Sequence, residues 1–182
     1  MMETTRFSSS GDLTEFCRYT LMVMVKNNSD RRQAGKERNM DTIGRREKAM
    51  ALHGQGYNCA QSVVLAFEDL LPLDGETLAR LSASFGGGIG GMREVCGAVS
   101  GMALVLGFLY GNSDPKDRAA KGEHSARVQA LAGKFRERNG EIVCRRLLGL
   151  EPVPGKELKK RPCGEYVGDA AEFLEEYISS HS

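Results

Sequence analysis

Residues 85–111 pass from a run of glycines into an apolar segment, and no other stretch constrains the fold as much. The loop reads Phe85-Gly-Gly-Gly-Ile-Gly-Gly-Met-Arg93, and over residues 95–110 the only side-chain polar groups are those of Cys96, Ser100 and Tyr110. A helix that is apolar on every side belongs in a protein interior. This one is too short and too rich in glycine for a membrane span. Gly97, Gly101 and Gly107 each cost a helix about 1 kcal/mol relative to alanine, a cost that makes sense where another backbone packs close. The expectation is a buried central helix crowded by neighbours, with Cys96 in its first turn.

The flanking sequence is helical too. Ile43, Met50 and Leu52 predict an amphipathic helix that begins near Asp41 and ends near Gly54. Asn58 is an acceptable cap for a helix over residues 59–71, stopped by Pro72. Asp74 caps a helix over residues 75–84. Asn112-Ser-Asp-Pro115 predicts a helix with proline in its first turn, running to Asn139-Gly140. A short helix over residues 141–148 carries Cys144. A loop with Pro152, Pro154 and Pro162 leads to Cys163, and the last helix covers residues 165–178. No stretch alternates as a strand does. The class is therefore all-α, a helical bundle of about six or seven helices around a buried central helix.

Residues 1–40 read differently. Ser8-Ser9-Ser10-Gly11, Asn27-Asn28-Ser29-Asp30 and the charged run over residues 31–38 lack an apolar stripe. They predict a poorly ordered N-terminal extension with one short helix over residues 13–25, and Met40 is a second candidate start. Residues 41–182 form the helical domain. The formal net charge of +1 gives no reason to expect nucleic acid. The chain has no Trp, which argues against a base-stacking platform. The apolar run over residues 21–25 is shorter than a secretory signal core. A cytoplasmic protein without membrane insertion is expected, and a homodimer is expected from the helical class.

Chemistry falls to the cysteines, at positions 17, 59, 96, 144 and 163. Gly86-x-Gly88-x-x-Gly91 matches a dinucleotide fingerprint in letters, but that motif needs a preceding strand and a βαβ unit. A single cysteine is often only a small buried hydrophobe. Here Cys59 opens a helix after a Gly-rich turn and Cys96 follows a Gly-rich loop, both places where amide donors favour thiolate. Cys144 lies in a short helix, Cys163 in a Pro-Cys-Gly junction before a helix, and Cys17 in the tail. Arg93 can stabilise a thiolate, and Glu94 can accept a proton or simply suit a helix start. His53 and His124, on expected helix surfaces, and His181 in the tail form no catalytic constellation.

These residues resemble a known family. Gly56-Tyr-Asn-Cys59-Ala-Gln-Ser, the loop Phe85-Gly-Gly-Gly-Ile-Gly, Cys96-Gly97-Ala98-Val-Ser-Gly101, then Cys144 and Cys163 are similar to the C_GCAxxG_C_C family of redox-active proteins over residues 42–178. The family label places Gly before Cys-Ala, whereas this chain has Val95-Cys96-Gly97-Ala98. The resemblance implies that Cys59, Cys96, Cys144 and Cys163 are the family cysteines. It also implies a link to transport or to metal or sulfur handling. In the related domain of split-Soret cytochromes, the cysteines are thought to hold an iron–sulfur cluster. This chain has no Cys-x-x-Cys-His haem motif.

Two function classes follow. In the first, a low-pKa thiolate, most naturally Cys96, attacks an oxidised partner and a second cysteine resolves the intermediate, with no cofactor. In the second, the same four cysteines ligate an iron–sulfur cluster or a soft metal. A helical domain with buried, inert cysteines is the remaining alternative. Alternation of helix direction predicts that Cys59, Cys96, Cys144 and Cys163 meet at one end of the bundle, with Cys17 apart. The redox partner is not specified by the residues.

Overall fold

Polar side chains cap three of the helices in the computed structural model, which describes residues 44–181. The expected extension over residues 1–40, its short helix and Cys17 lie outside the described residues. Seven α-helices follow: α1 Arg45–Gly54, α2 Cys59–Ala66, α3 Gly75–Ala83, α4 Gly97–Tyr110, α5 Arg118–Asn139, α6 Cys144–Leu147 and α7 Cys163–Ser180. Among the described residues only isolated bridges interrupt this all-α bundle. None of the described helices is long and apolar enough to cross a membrane.

Asn58 caps α2 with a full capping box. Its side chain accepts from the amides of Ala60 and Gln61 at 3.0 Å, and the Gln61 side chain accepts from the Asn58 amide. Beyond Ala66 the chain tightens into a 3-10 turn, Glu68–Leu70, so α2 is shorter than its apolar pattern suggested. Asp74 caps α3 through the Thr77 amide at 2.9 Å. The helix expected from Pro115 starts later, at Arg118, with Asp117 as its cap. The Asn112 and Asp114 side chains accept from amides two residues on, at 2.7 and 2.8 Å. Such local bonds hold the segment as turns and compete with helix.

The core lies where α7 packs on α1, α2, α4 and α5 and where α4 packs on α2. Phe67, Phe135, Phe173, Met102, Leu106 and Leu174 are fully buried there. Gly97 and Gly101 in α4 act as expected, but Gly107 does not: a Cβ there would meet nothing within 4 Å. A Cβ on Gly101 would stand 2.8 Å from the Ala60 carbonyl oxygen, and one on Gly97 would stand 2.9 Å from the Phe85 carbonyl oxygen. The central helix is buried on this side only. Its outer stripe, Ser100, Ala103, Leu104, Gly107 and Phe108, joins Phe85 in an open apolar groove of about 470 Å³.

An ion-pair network locks α1 onto α7. Asp169 is 1% exposed and accepts from Arg46 and Arg161, each at 2.6 Å. Arg46 also reaches Glu165 at 2.8 Å and Glu172 at 3.0 Å, and Arg161 pairs with Asn139. Burial alone would raise the Asp169 pKa. The hydrogen bonds from Arg161 and Arg46 outweigh it, so the carboxyl sits below its ordinary value.

Candidate functional site

The network ties the first turn of α1 to α7, and further along α1, in the first half of the site, His53 comes against the start of α7, where a Cβ on Gly164 would stand 3.6 Å from its ring. Pro162 precedes α7, and Cys163 is its first residue. Cys59 is the first residue of α2, directly after the Asn58 capping box. Amide groups at a helix start are unpaired donors and favour a negative sulfur. His53, in the last turn of α1, completes the group. One ligand atom from each of His53, Cys59 and Cys163 lies within 4.8 Å of the others.

The second half is built by the glycine loop. Gly87, Gly88, Ile89, Gly90 and Gly91 all have positive φ, between 55° and 84°. That is a left-handed turn, which glycine enters freely and which costs an L-residue about 1–2 kcal/mol. Ile89 (φ 60°) and Arg93 (φ 65°) bear this cost. The turn closes through Arg93 N–H to the Gly87 carbonyl at 3.1 Å and Glu94 N–H to the Gly88 carbonyl at 3.0 Å. The glycine pattern thus serves a left-handed turn after a helix, α3, where a dinucleotide motif would follow a strand.

The turn delivers the chain to an antiparallel bridge between Val95 and Val143. Cys96 N–H donates to the Ile142 carbonyl at 2.8 Å, and Cys144 N–H donates to the Glu94 carbonyl at 2.6 Å. This short zipper sets Cys96 beside Cys144. A Cβ on Gly88 would stand 2.7 Å from the Cys144 Cβ, so the loop glycine also makes room for that cysteine.

The two halves meet. Cys59, Cys96, Cys144 and Cys163 line one cavity of about 40 Å³, together with Arg93 and Tyr166. The expected convergence of the four is observed. All four are free thiols.

The electrostatics separate them. Cys163 is lowered to about 6, first by the hydrogen bond from the Cys59 thiol and then, against burial, by His53 and Arg93. Cys59 is strongly raised, by the same bond to Cys163 and by burial. The pair therefore shares one proton, held on Cys59. Burial pushes Cys96 up to about 12 against the amides of Ala98 and Val99. Burial raises Cys144 too, despite a hydrogen bond from Arg93.

Three expectations need correction. The low-pKa thiolate expected at Cys96 is at Cys163, because burial of Cys96 outweighs its helix-start position. His53 stands beside two sulfurs as well as on the α1 surface. Its Nδ1 donates to the Tyr57 carbonyl at 3.0 Å, and its side chain also hydrogen-bonds to Cys163. The sequence signal was the four-residue spacing to Tyr57, at a helix end beside the Cys59 turn. Glu94 accepts from Arg145 at 2.6 Å and is half exposed, so an ion pair accounts for it. Arg93 hydrogen-bonds to the Cys144 side chain, but burial outweighs it and that thiol stays raised, while the Arg93 charge helps to lower Cys163.

A family model described as "Putative redox-active protein (C_GCAxxG_C_C)" matches residues 57–177. The matched span holds all four cavity cysteines and leaves His53 just outside it. Neither a curated protein nor a solved structure shows a significant match to the chain.

Proposed function

We propose that this chain, which belongs to the C_GCAxxG_C_C family, is a thiol–disulfide redox protein in which Cys163 attacks and Cys59 resolves. The observation that carries the reading is geometric: the Cys163 and Cys59 sulfurs, each at a helix start, lie within 4.8 Å of each other, and the Cys59 bond lowers the Cys163 thiol. The Cys163 thiolate attacks one sulfur of a partner disulfide. A mixed disulfide forms, and the other partner sulfur leaves as thiolate. Capping Cys163 removes the negative charge that held the proton on Cys59. Cys59 then gives up its proton, with the His53 ring within 4.8 Å as a nearby acceptor, and attacks the Cys163 sulfur. A Cys59–Cys163 disulfide forms and the second partner thiol departs, so the partner gains the two electrons that the pair loses. Closing that bond takes the two sulfurs, now within 4.8 Å of each other, to about 2.05 Å. Cys96 and Cys144, both raised by burial, stay thiols beside the pair. The setting that suits such a transient disulfide is the cytoplasm.

A second reading is supported by the lining of the cavity with all four thiols. The same four cysteines could ligate a soft metal or an iron–sulfur cluster for electron transfer. A cavity of about 40 Å³ suits one ion, and a cluster would need its walls to part.

A trapping experiment tests the first reading. Reduced Cys59→Ser protein treated with oxidised glutathione should accumulate a glutathione adduct on Cys163, and Cys163→Ser protein should form none at Cys59. Adducts at Cys96 or Cys144 in place of Cys163 would overturn it. A brown, iron-containing protein from anaerobic purification would favour the second reading.

A further inference from the structure

The sulfur pair has a third neighbour that thiol exchange between two cysteines does not require. We infer that His53, Cys59 and Cys163 form a three-ligand site for a borderline-soft divalent cation of the zinc class. Two thiolates and an imidazole are a donor set that zinc accepts readily, and carboxylates and water-loving hard cations have no part in it.

Geometry supports the assignment on two independent grounds. The three ligand atoms already lie within 4.8 Å of one another. Around a tetrahedral zinc, with bonds of about 2.3 Å to sulfur and about 2.0 Å to nitrogen, ligand atoms stand about 3.5–3.8 Å apart. The set therefore needs to close by at most about 1.3 Å. The second ground is the orientation of the imidazole. His53 Nδ1 donates to the Tyr57 carbonyl, and a metal-ligating histidine almost always gives its other ring N–H to such an acceptor. That bond fixes the Nδ1–H tautomer, so Nε2 is the ring nitrogen that carries the lone pair.

The scaffold that carries the ligands is rigid. His53 sits in the last turn of α1 and Cys163 starts α7, and the Arg46 bonds to Asp169 and Glu165 tie those two helices together. Cys59 starts α2 behind its capping box. Cys96 and Cys144 line the same cavity but lie outside the three-atom set. The fourth position of a tetrahedral ion would be left to solvent or to a small ligand, so binding would be exchangeable. A bound cation and a Cys59–Cys163 disulfide exclude each other. That consequence rests on the redox reading, and the site itself does not.

The test uses the full chain, reduced and metal-free, titrated with Co2+ as the spectroscopic probe and then with Zn2+. One Co2+ per chain should bind with a sulfur-to-cobalt charge-transfer band and the intensified visible bands of a tetrahedral site, and Zn2+ should bleach both. His53→Ala should weaken Co2+ at least about ten-fold, whereas Cys96→Ser and Cys144→Ser should stay within about three-fold of the parent. His53→Gln serves as a second variant, and circular dichroism of each metal-free variant reports folding. The proposal is overturned if no charge-transfer band appears, or if both folded His53 variants bind as the parent does. It is also overturned if Cys96→Ser or Cys144→Ser costs as much as Cys59→Ser, since the site would then be a tetrathiolate. Alkylation of Cys163 in excess chelator reports the redox reading separately, so either idea can fail alone.

Discussion

Alkylation of Cys163 as a function of pH puts the proposed division of labour under direct strain. The Cys163 thiol sits at about 6 against an ordinary value of 9.0. At pH 7 about 90% of it is thiolate, against about 1% for an ordinary thiol, a gain of roughly 90-fold. Nucleophilicity falls as the pKa falls, with a Brønsted slope of about 0.45, and three units of depression cost roughly 20-fold. The net expectation is a rate about four times that of an ordinary thiol at pH 7. The sign is clear: the rate is flat above pH 7, halves near pH 6 and falls about ten-fold per unit below pH 5. Cys59→Ala removes the largest contribution to the shift, so its midpoint should climb toward the ordinary thiol value. His53→Ala should move it the same way by less. The assay is iodoacetamide labelling of reduced, chelator-treated protein, with mass spectrometry reading each cysteine peptide. A Cys163 midpoint above about 8 in the parent, or one unmoved by Cys59→Ala, would refute the reasoning.

Further expectations concern the scaffold. Gly101→Leu should destabilise by about 1–3 kcal/mol or more in denaturant titration, because even a Cβ there meets the Ala60 carbonyl at 2.8 Å. Gly88→Ala should cost a similar amount and raise labelling of Cys144, since the added methyl displaces that side chain. Asp169→Ala should cost about 3 kcal/mol, the low end for breaking a buried ion pair because Arg46 and Arg161 remain partly solvated. The Asp169 carboxyl is held below its ordinary value. Its contribution should be complete above about pH 4 and fade as pH falls through the folded-state value, a loss that acid unfolding of the parent, but not of Asp169→Ala, should show. Removing residues 1–39 should leave the thermal midpoint within a few degrees, and a large drop would mean that the apolar run over residues 21–25 contributes to the core.

The helices were legible because their signals are local. Asn58 and Asp74 announce α2 and α3, and the apolar run with Gly97 and Gly101 announces α4 and its close neighbour. Pro115 misled because Asn112 and Asp114 compete for the same amides. The meeting of the cysteines could be argued from alternating helix direction for Cys59, Cys96 and Cys163. Cys144 arrives by a backbone bridge of one residue pair, Val95 with Val143, too short to leave an alternating pattern. The order of acidity among the thiols was not legible. A helix start predicts a lowered thiol, but Cys96 is 5% exposed and burial wins there. The depression at Cys163 comes first from Cys59, over a hundred residues away in the chain. His53 was passed over because an apparent surface histidine gains chemistry only from what the fold sets beside it.

The central claim is that Cys59 and Cys163 are the working pair, and disulfide mapping across a glutathione redox series tests it most directly. Metal-free protein is equilibrated anaerobically over a range of glutathione ratios, acid-quenched, alkylated and digested. The account predicts that one disulfide, Cys59–Cys163, appears first and reversibly as the buffer becomes more oxidising, with Cys96 and Cys144 still recovered as thiols. A first disulfide between Cys96 and Cys144, or no intramolecular disulfide at any ratio, would contradict it.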